Sequence, residues 1–549
     1  MMALEMIDIA IIATYAVTLF VIANLVSREK PGHVKSAEDY FLAGKALPWW
    51  AVGASLIAAN ISAEQIIGQS GQGYVVGLAI AAYEWQAAIV LLIVAKFFLP
   101  VFLQRGIYTM PQFLDQRFGG SVKSVMAVFW ITLYTAVNLT AVLWLGALAI
   151  NAVTGLAVWP AMAALAAFAV LYSIYGGLKA VALTDIIQVV ILIAGGVVIT
   201  WVSLSLVSAG AGPVAGFTTL LGEIPGHFNM ILSPDHPGYS NLPGIWTLLG
   251  GLWVLHFSYW GFNQYIIQRA LGSKNLAEAQ KGLAFAAALK LLIPVIVVVP
   301  GIAALYLTQN GMLDGARLSA RPDSTYGVLM TLVPDGFRGL VFAALIAAIV
   351  SSLASMMNSI STIFTMDIYR SIRPGRPERH YVTVGRITAF SAMLIALILA
   401  QPFLGGFESA FQTIQEYTGF VAPGVVAVFL LGLFWKRMNT AGAFALLISS
   451  VGLSFFFWLL ANPAAVGGAG AGVLGALGLE GLAMPFVIRI WIVFLSCLVI
   501  GAVVSIITGK PKADRPVDLT GVRFATGPVF NIAGAFIVFV LISIYVIFW

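Results

Sequence analysis

Long apolar stretches, interrupted at short intervals by glycine, proline and small clusters of charge, leave this chain few ways to fold. A largely uncharged run of about 17 residues or more can cross a bilayer as a helix. Fourteen such runs begin near Ile9, Trp49, Gly77, Val122, Val158, Asp185, Pro243, Gly282, Phe337, Val384, Phe407, Ala441, Met484 and Phe530. The unit Phe337–Tyr369 is long enough to project beyond the bilayer on one side. Only 9% of the residues are charged while 60% are hydrophobic, whereas about a quarter are charged in a soluble domain. The expected fold class is an all-α polytopic membrane protein, one helical bundle without a soluble domain.

The net charge of +6 is scattered over many short loops, which suits orientation in a bilayer and argues against nucleic acid as a partner. With the 27–45 loop placed inside, 22 of the 28 basic residues fall on inside segments, among them Arg117, Arg269 and Lys274. Fourteen spans with both termini outside is the topology this asymmetry predicts. The outside loop Ser208–Leu242 carries Glu223, His227, Asp235 and His236 but no Lys or Arg. Gly467–Gly481 is rich in Gly and Ala and reads as a flexible outer loop. The single cysteine, Cys497, permits no intrachain disulfide. MMALEMIDIA has no basic n-region, so no cleavable signal peptide is expected.

Polar side chains at membrane depth are costly unless they face a cavity, a ligand or each other. Asn60, Ser62, Glu64, Gln65 and Gln69 crowd one segment together with Gly68, Gly71 and Gly73. That is how a helix broken at a binding site reads. Glu84, Asp185, Lys290 and His256 are the other ionisable residues within spans. Glu84 with Lys290 reads either as a polar pair in a solute cavity or as an ion pair locking two helices. As a cavity pair, with the amides of Gln65 and Gln415, it suits a neutral, hydroxyl-rich solute better than a carboxylate. In Ala347–Phe364, Ser351, Ser352, Ser355, Asn358 and Ser359 follow one another. Close packing by small residues is one reading; a monovalent-cation site of hydroxyls and freed carbonyls is the other. Tyr83, Phe411, Tyr259 and Trp260 could stack on a sugar or simply pack. GQGYVVG lacks the spacing of a nucleotide loop, and no zinc or nucleophile-elbow pattern occurs, so no enzyme is expected.

EDYFLAGKALPWWAVGASLIAANISAEQIIG, GGLWVLHFSYWGFNQYIIQRAL, AAIVSSLASMMNSISTIFTMDIY and AFQTIQEYTGFVAPG resemble the sodium:solute symporter family, and most of all its sodium/galactose and sodium/glucose branch. The resemblance implies a leucine-transporter-type fold, with two inverted five-helix repeats, one helix before them and three after. The corresponding divisions are 1–45, 46–206, 207–242 (a loop), 243–438 and 439–549. It implies a sodium site at the carbonyls of Ala58, Ile61 and Ala348 and the hydroxyls of Ser351 and Ser352. Sugar contacts are implied for Gln65, Glu84, Lys290 and Gln415, with His256 where the sugar branch carries asparagine. It implies an inner gate at Tyr259 with Asn60 and an outer gate at Tyr83 and Phe411. Gln69 stands where that branch has an outer-gate methionine, and Ala87 where it has serine. Asp185 matches an acidic residue on the sodium exit route.

The expected function is sodium-coupled hexose symport in a bacterial inner membrane, with sodium and sugar as ligands and no obligate protein partner. Myo-inositol, sialic acid or proline as solute, or an uncoupled sugar sensor or sodium leak, are the alternatives.

Overall fold

A computed structural model describes residues 4–27, 43–107, 109–173, 177–404, 410–462, 484–509 and 519–549. Within these, every regular element is helical, apart from one bridge pairing Leu47 with Ser273. Each of the fourteen expected starts lies inside a described helix or within a few residues of one. Among the described residues, nine helices are long and apolar enough to cross a membrane, and the bent pair Thr413–Gly419 and Ala422–Phe434 makes a tenth. Met6–Ile22 and Val158–Leu171 are shorter apolar helices. One of the nine, Glu64–Gln104, has 41 residues. At ~1.5 Å per residue that is about 60 Å, twice the hydrocarbon thickness. It holds the end of one expected run and the whole of the next, joined at Gly77, whose φ of +76° only glycine adopts easily. The Gly467–Gly481 segment and most of the 27–45 loop lie outside the described residues.

The helices at the centre are Trp49–Asn60, Gln69–Val76, Ala82–Ile93, Gly177–Val207, Leu276–Gln309 and Phe337–Thr362. Leu276–Gln309 packs against the first four, and Phe337–Thr362 lies along Gly177–Val207. Met6–Ser27 packs on Phe337–Thr362 and caps it: Asp8 Oδ1 accepts from the N–H groups of Gly336 and Gly339, each at 2.7 Å. A carboxylate there complements the positive end of the helix dipole. Thr440–Ala461 packs against Phe486–Thr508, and Pro528–Ile547 lies against Leu276–Gln309.

Two central helices are broken. Trp49–Asn60 ends because Ile61 leaves helical geometry (ψ 99°), its N–H being the last to bond, to Ile57. The N–H of Ser62 turns to Gln65 Oε1 and that of Glu64 to Ser62 Oγ. The carbonyls of Ala58 and Asn60 thereby lose their usual i+4 partners. The second break falls at Phe262 and Asn263, within the expected His256–Gln264 stretch; Asn263 then caps Gln264–Leu271 with its side chain. Five wide π-helical turns occur among the described residues, and two of them, Glu64–Gly68 and Phe257–Gly261, adjoin these breaks. Such turns recur at functional sites.

Candidate functional site

A cavity lies between the two breaks. About 60 Å³ of it is open to the centres of water-sized spheres, room for about four to six waters at 10–15 Å³ each. Three π turns supply its walls: Glu64 and Gln65 from one, Leu133 and Asn138 from Leu133–Leu139, and Tyr259 and Trp260 from the third. Glu84, His256, Lys290 and Gln415 also line it, with Asn60, Gln69 and Tyr83 among the others.

Glu84 and Lys290, 206 residues apart in sequence, form a buried ion pair. The Lys290 ammonium also donates to Asn60 Oδ1 and lies 4.8 Å from the Trp260 ring centre. Gln69 Nε2 donates to the other Glu84 oxygen at 2.7 Å. Gln415 Nε2 reaches Glu64 Oε1 at 3.4 Å. Gln65 faces the cavity while its Oε1 accepts from Ser62. His256 bonds the backbone of Ala82, leaving Nε2 buried without a partner.

Aromatic rings close two sides. Tyr83 stands edge-on to Phe411, with ring centres 5.4 Å apart. The Tyr259 hydroxyl accepts from Asn60 Nδ2 at 3.1 Å and from the Tyr265 hydroxyl at 2.6 Å. Tyr259 is thus tied to the last residue of the first helical piece.

The serines meet the same break from behind. Ser352 Oγ donates to Ala59 O at 3.1 Å, and Ser351 Oγ donates to Asp185 Oδ1 at 2.5 Å. Each hydroxyl oxygen keeps lone pairs for a cation, so both donors fit a hard monovalent ion alongside the freed carbonyls. Asp185 also accepts from Ser55 Oγ at 2.5 Å and pairs with Arg269 at 3.5 Å. Arg269 donates further to Ser55 O at 3.0 Å, to Tyr265 O and to Ser355 Oγ.

The structure brings Gln65, Glu84, His256, Lys290 and Gln415 to one cavity with Asn60, Gln69, Tyr83 and Tyr259, and Phe411 meets it through Tyr83. Four residues hold places that the sequence alone does not assign. Arg269 was counted among inside-loop cations, as was Arg117; both are 1% exposed. Arg117 donates to the carbonyls of Gly432 and Met438, so neither is a loop residue. Glu64 stood out as ionisable at depth without a role. Asn138 carried no signal, being one polar residue in an apolar run.

Two discontinuous helices around a central polar cavity, with paired serine hydroxyls packed against one break, define a leucine-transporter-type secondary transporter. The profile of the sodium:solute symporter family matches residues 40–452. A sodium/glucose cotransporter of Vibrio parahaemolyticus is 48% identical over 100% of this chain and 99% of its own length. A sodium/myo-inositol cotransporter 2 of Mus musculus is 35% identical over 81% of this chain and 69% of its own. The chain belongs to the sodium:solute symporter family. Its fold is also that of a Na+-coupled sialic acid symporter solved in a substrate-bound outward-open state, with a TM-score of 0.77, 21% identity, and coverage of 92% of this chain and 99% of that one.

Proposed function

We propose that the protein carries a neutral hexose inward together with sodium, by alternating access, across a bacterial inner membrane, with both termini outside. The observation that carries this reading is the Glu84–Lys290 pair opening onto a cavity with Asn60, Gln69 and Gln415. A paired carboxylate and ammonium accept and donate hydrogen bonds without net charge, which suits a polyhydroxylated neutral solute. Gln65, Glu84, His256, Lys290 and Gln415 would contact the sugar. Ala58, Ile61, Ala348, Ser351 and Ser352 would hold sodium as co-transported substrate. Tyr83 and Phe411 would form the outer gate, with Gln69 beneath it, and Tyr259 with Asn60 the inner one.

The coupling follows from geometry. Sodium at the freed Ala58 carbonyl would order the break, and Asn60, two residues on, holds both Lys290 and Tyr259. The ion's preference for one state of the break would become the sugar's preference for one state of the cavity. Asp185, bonded to Ser351, would receive the ion as it departs. One charge crossing 100 mV contributes about 2.3 kcal/mol. Myo-inositol is the second reading, favoured by the myo-inositol cotransporter among the relatives.

Uptake of labelled hexoses and myo-inositol into proteoliposomes, with and without an inward sodium gradient, tests the proposal. Accumulation of a hexose only under the gradient is the expected result. Accumulation of inositol alone selects the second reading, and equilibration without sodium dependence defeats coupling.

A further inference from the structure

The cavity contains two carboxylates and one ammonium. Lys290 is committed to Glu84 and Asn60. Glu64 faces the same space, and among the described residues it has no cationic partner; its one side-chain hydrogen bond is the 3.4 Å contact from Gln415. With both carboxylates ionised the cavity therefore holds one uncompensated negative charge. A buried carboxylate without a charged partner binds a proton unless a cation reaches it, and a cationic solute would supply that partner directly.

The neighbouring atoms without partners point the same way. Gln69 Oε1, Asn138 Oδ1 and His256 Nε2 are all buried and unpaired, on residues at least nine-tenths buried that line this cavity. The two carbonyl oxygens can only accept hydrogen bonds. Nε2 also accepts when the other imidazole nitrogen donates to the Ala82 carbonyl. The Tyr83 hydroxyl, also buried and unpaired at this cavity, can donate or accept; the other three atoms need donors, and Glu64 needs positive charge. A hexose hydroxyl supplies one donor; a primary ammonium supplies three and the missing charge.

We infer that the cavity also takes cationic amino sugars, hexoses in which one hydroxyl is replaced by a protonated amine, with Glu64 pairing to the ammonium. This rests on the sugar-symport reading above. It assigns Glu64 a role in solute selection that Glu84, already neutralised by Lys290, does not share.

The test is competition against labelled hexose uptake in sodium-loaded gradients at neutral pH. The competitors are monoamino hexoses bearing the amine at different ring carbons, each beside its uncharged N-acetyl counterpart. At least one amino sugar is expected to compete within about tenfold of the parent hexose while its N-acetyl counterpart does not. Glu64→Gln is expected to lower the amino-sugar-to-hexose specificity ratio by about tenfold or more, the value of a hydrogen bond between charged groups. Failure of every amino sugar to compete overturns the inference, as does a parallel change for both solutes in Glu64→Gln. Should the wild type transport no hexose, calorimetric titration of the purified protein with the same amino sugars separates the two readings. Binding weakened by Glu64→Gln then upholds the cation subsite while sugar symport falls, and absence of binding overturns the subsite as well.

Discussion

Two buried ion pairs meet the same broken helix five residues apart, about 7.5 Å at ~1.5 Å per residue. Glu84–Lys290 is reached by Asn60, and Asp185–Arg269 by Ser55. All four charged residues are at most 2% exposed. Their surroundings differ. Asp185 and Arg269 are enclosed by Ser55, Ser351, Ser355 and the Tyr265 carbonyl, and no polar atom of the pair or of these serines lacks a partner. Around Glu84–Lys290, three buried acceptors go unmet and a second carboxylate stands unpaired. A completed network positions backbone and leaves an ion only the remaining lone pairs of Ser351; an incomplete one awaits a ligand. Burial and charge alone do not separate the two cases, but hydrogen-bond satisfaction does.

The largest effect expected is from Arg269→Ala. It strands Asp185 in a closed interior, which costs about 3–5 kcal/mol and is measured by thermal or denaturant unfolding in detergent. Asp185→Asn combined with Arg269→Met should recover most of that loss, because no charge is then stranded. Lys290→Ala also strips a buried pair, yet water in the cavity can reach Glu84. Its stability loss should be smaller, below about 3 kcal/mol, while sodium-driven hexose uptake is abolished. Equal losses from the two single substitutions would break the comparison.

Much of this was legible before the fold. Hydropathy marks the apolar runs because a membrane demands them, and Lys290 stands out as the lone lysine deep in such a run. The pairing of Glu84 with Lys290 could be suspected because only a few ionisable residues share that depth. Arg269 was not legible: it precedes Lys274 and Lys281, and a count of basic residues assigns all three to one loop. Only the packing of Gln264–Leu271 against Trp49–Asn60 brings it to Ser55 and Asp185. The π turns had no sequence signature, since a widened turn changes backbone pairing and not residue type. Glu64 could be seen but not assigned, because its distinguishing property is a missing partner.

Gly68→Ala tests how closely the cavity wall and its aromatic cover are fitted. An added Cβ would sit 2.5 Å from Phe411 Cβ and 2.8 Å from Cδ2. Overpacking of this kind costs about 1–3 kcal/mol and should slow uptake by displacing Phe411 from Tyr83. Gly222→Ala, with no atom within 4 Å of the added carbon, is the control and should change neither. Ser352→Ala removes one hydroxyl behind the break and should cost about 1 kcal/mol of stability. The sodium concentration for half-maximal uptake should nevertheless rise at least about tenfold, the loss expected for a ligand oxygen worth roughly 1.5 kcal/mol or more. A large stability loss with unchanged sodium dependence would make Ser352 a packing residue, like Ser55.

The smallest effect lies in the 208–242 segment, outside both networks. The His227 ring is 6.5 Å from that of His236. Partial burial, and then the neighbouring His236, lower its pKa below the ordinary 6.5. The folded segment therefore binds fewer protons than the unfolded chain. The stability this contributes is fully present above about 6.5 and declines as pH falls through the folded-state value. Unfolding followed from neutral to mildly acidic pH should show this decline, and His227→Gln should flatten it without changing hexose selectivity at neutral pH. An unchanged slope in that variant would shift the acid sensitivity to other groups. A change in selectivity would tie the segment to the cavity through Gly77, against whose backbone the His227 carbonyl packs, and would remove the separation between a closed scaffold and an open site.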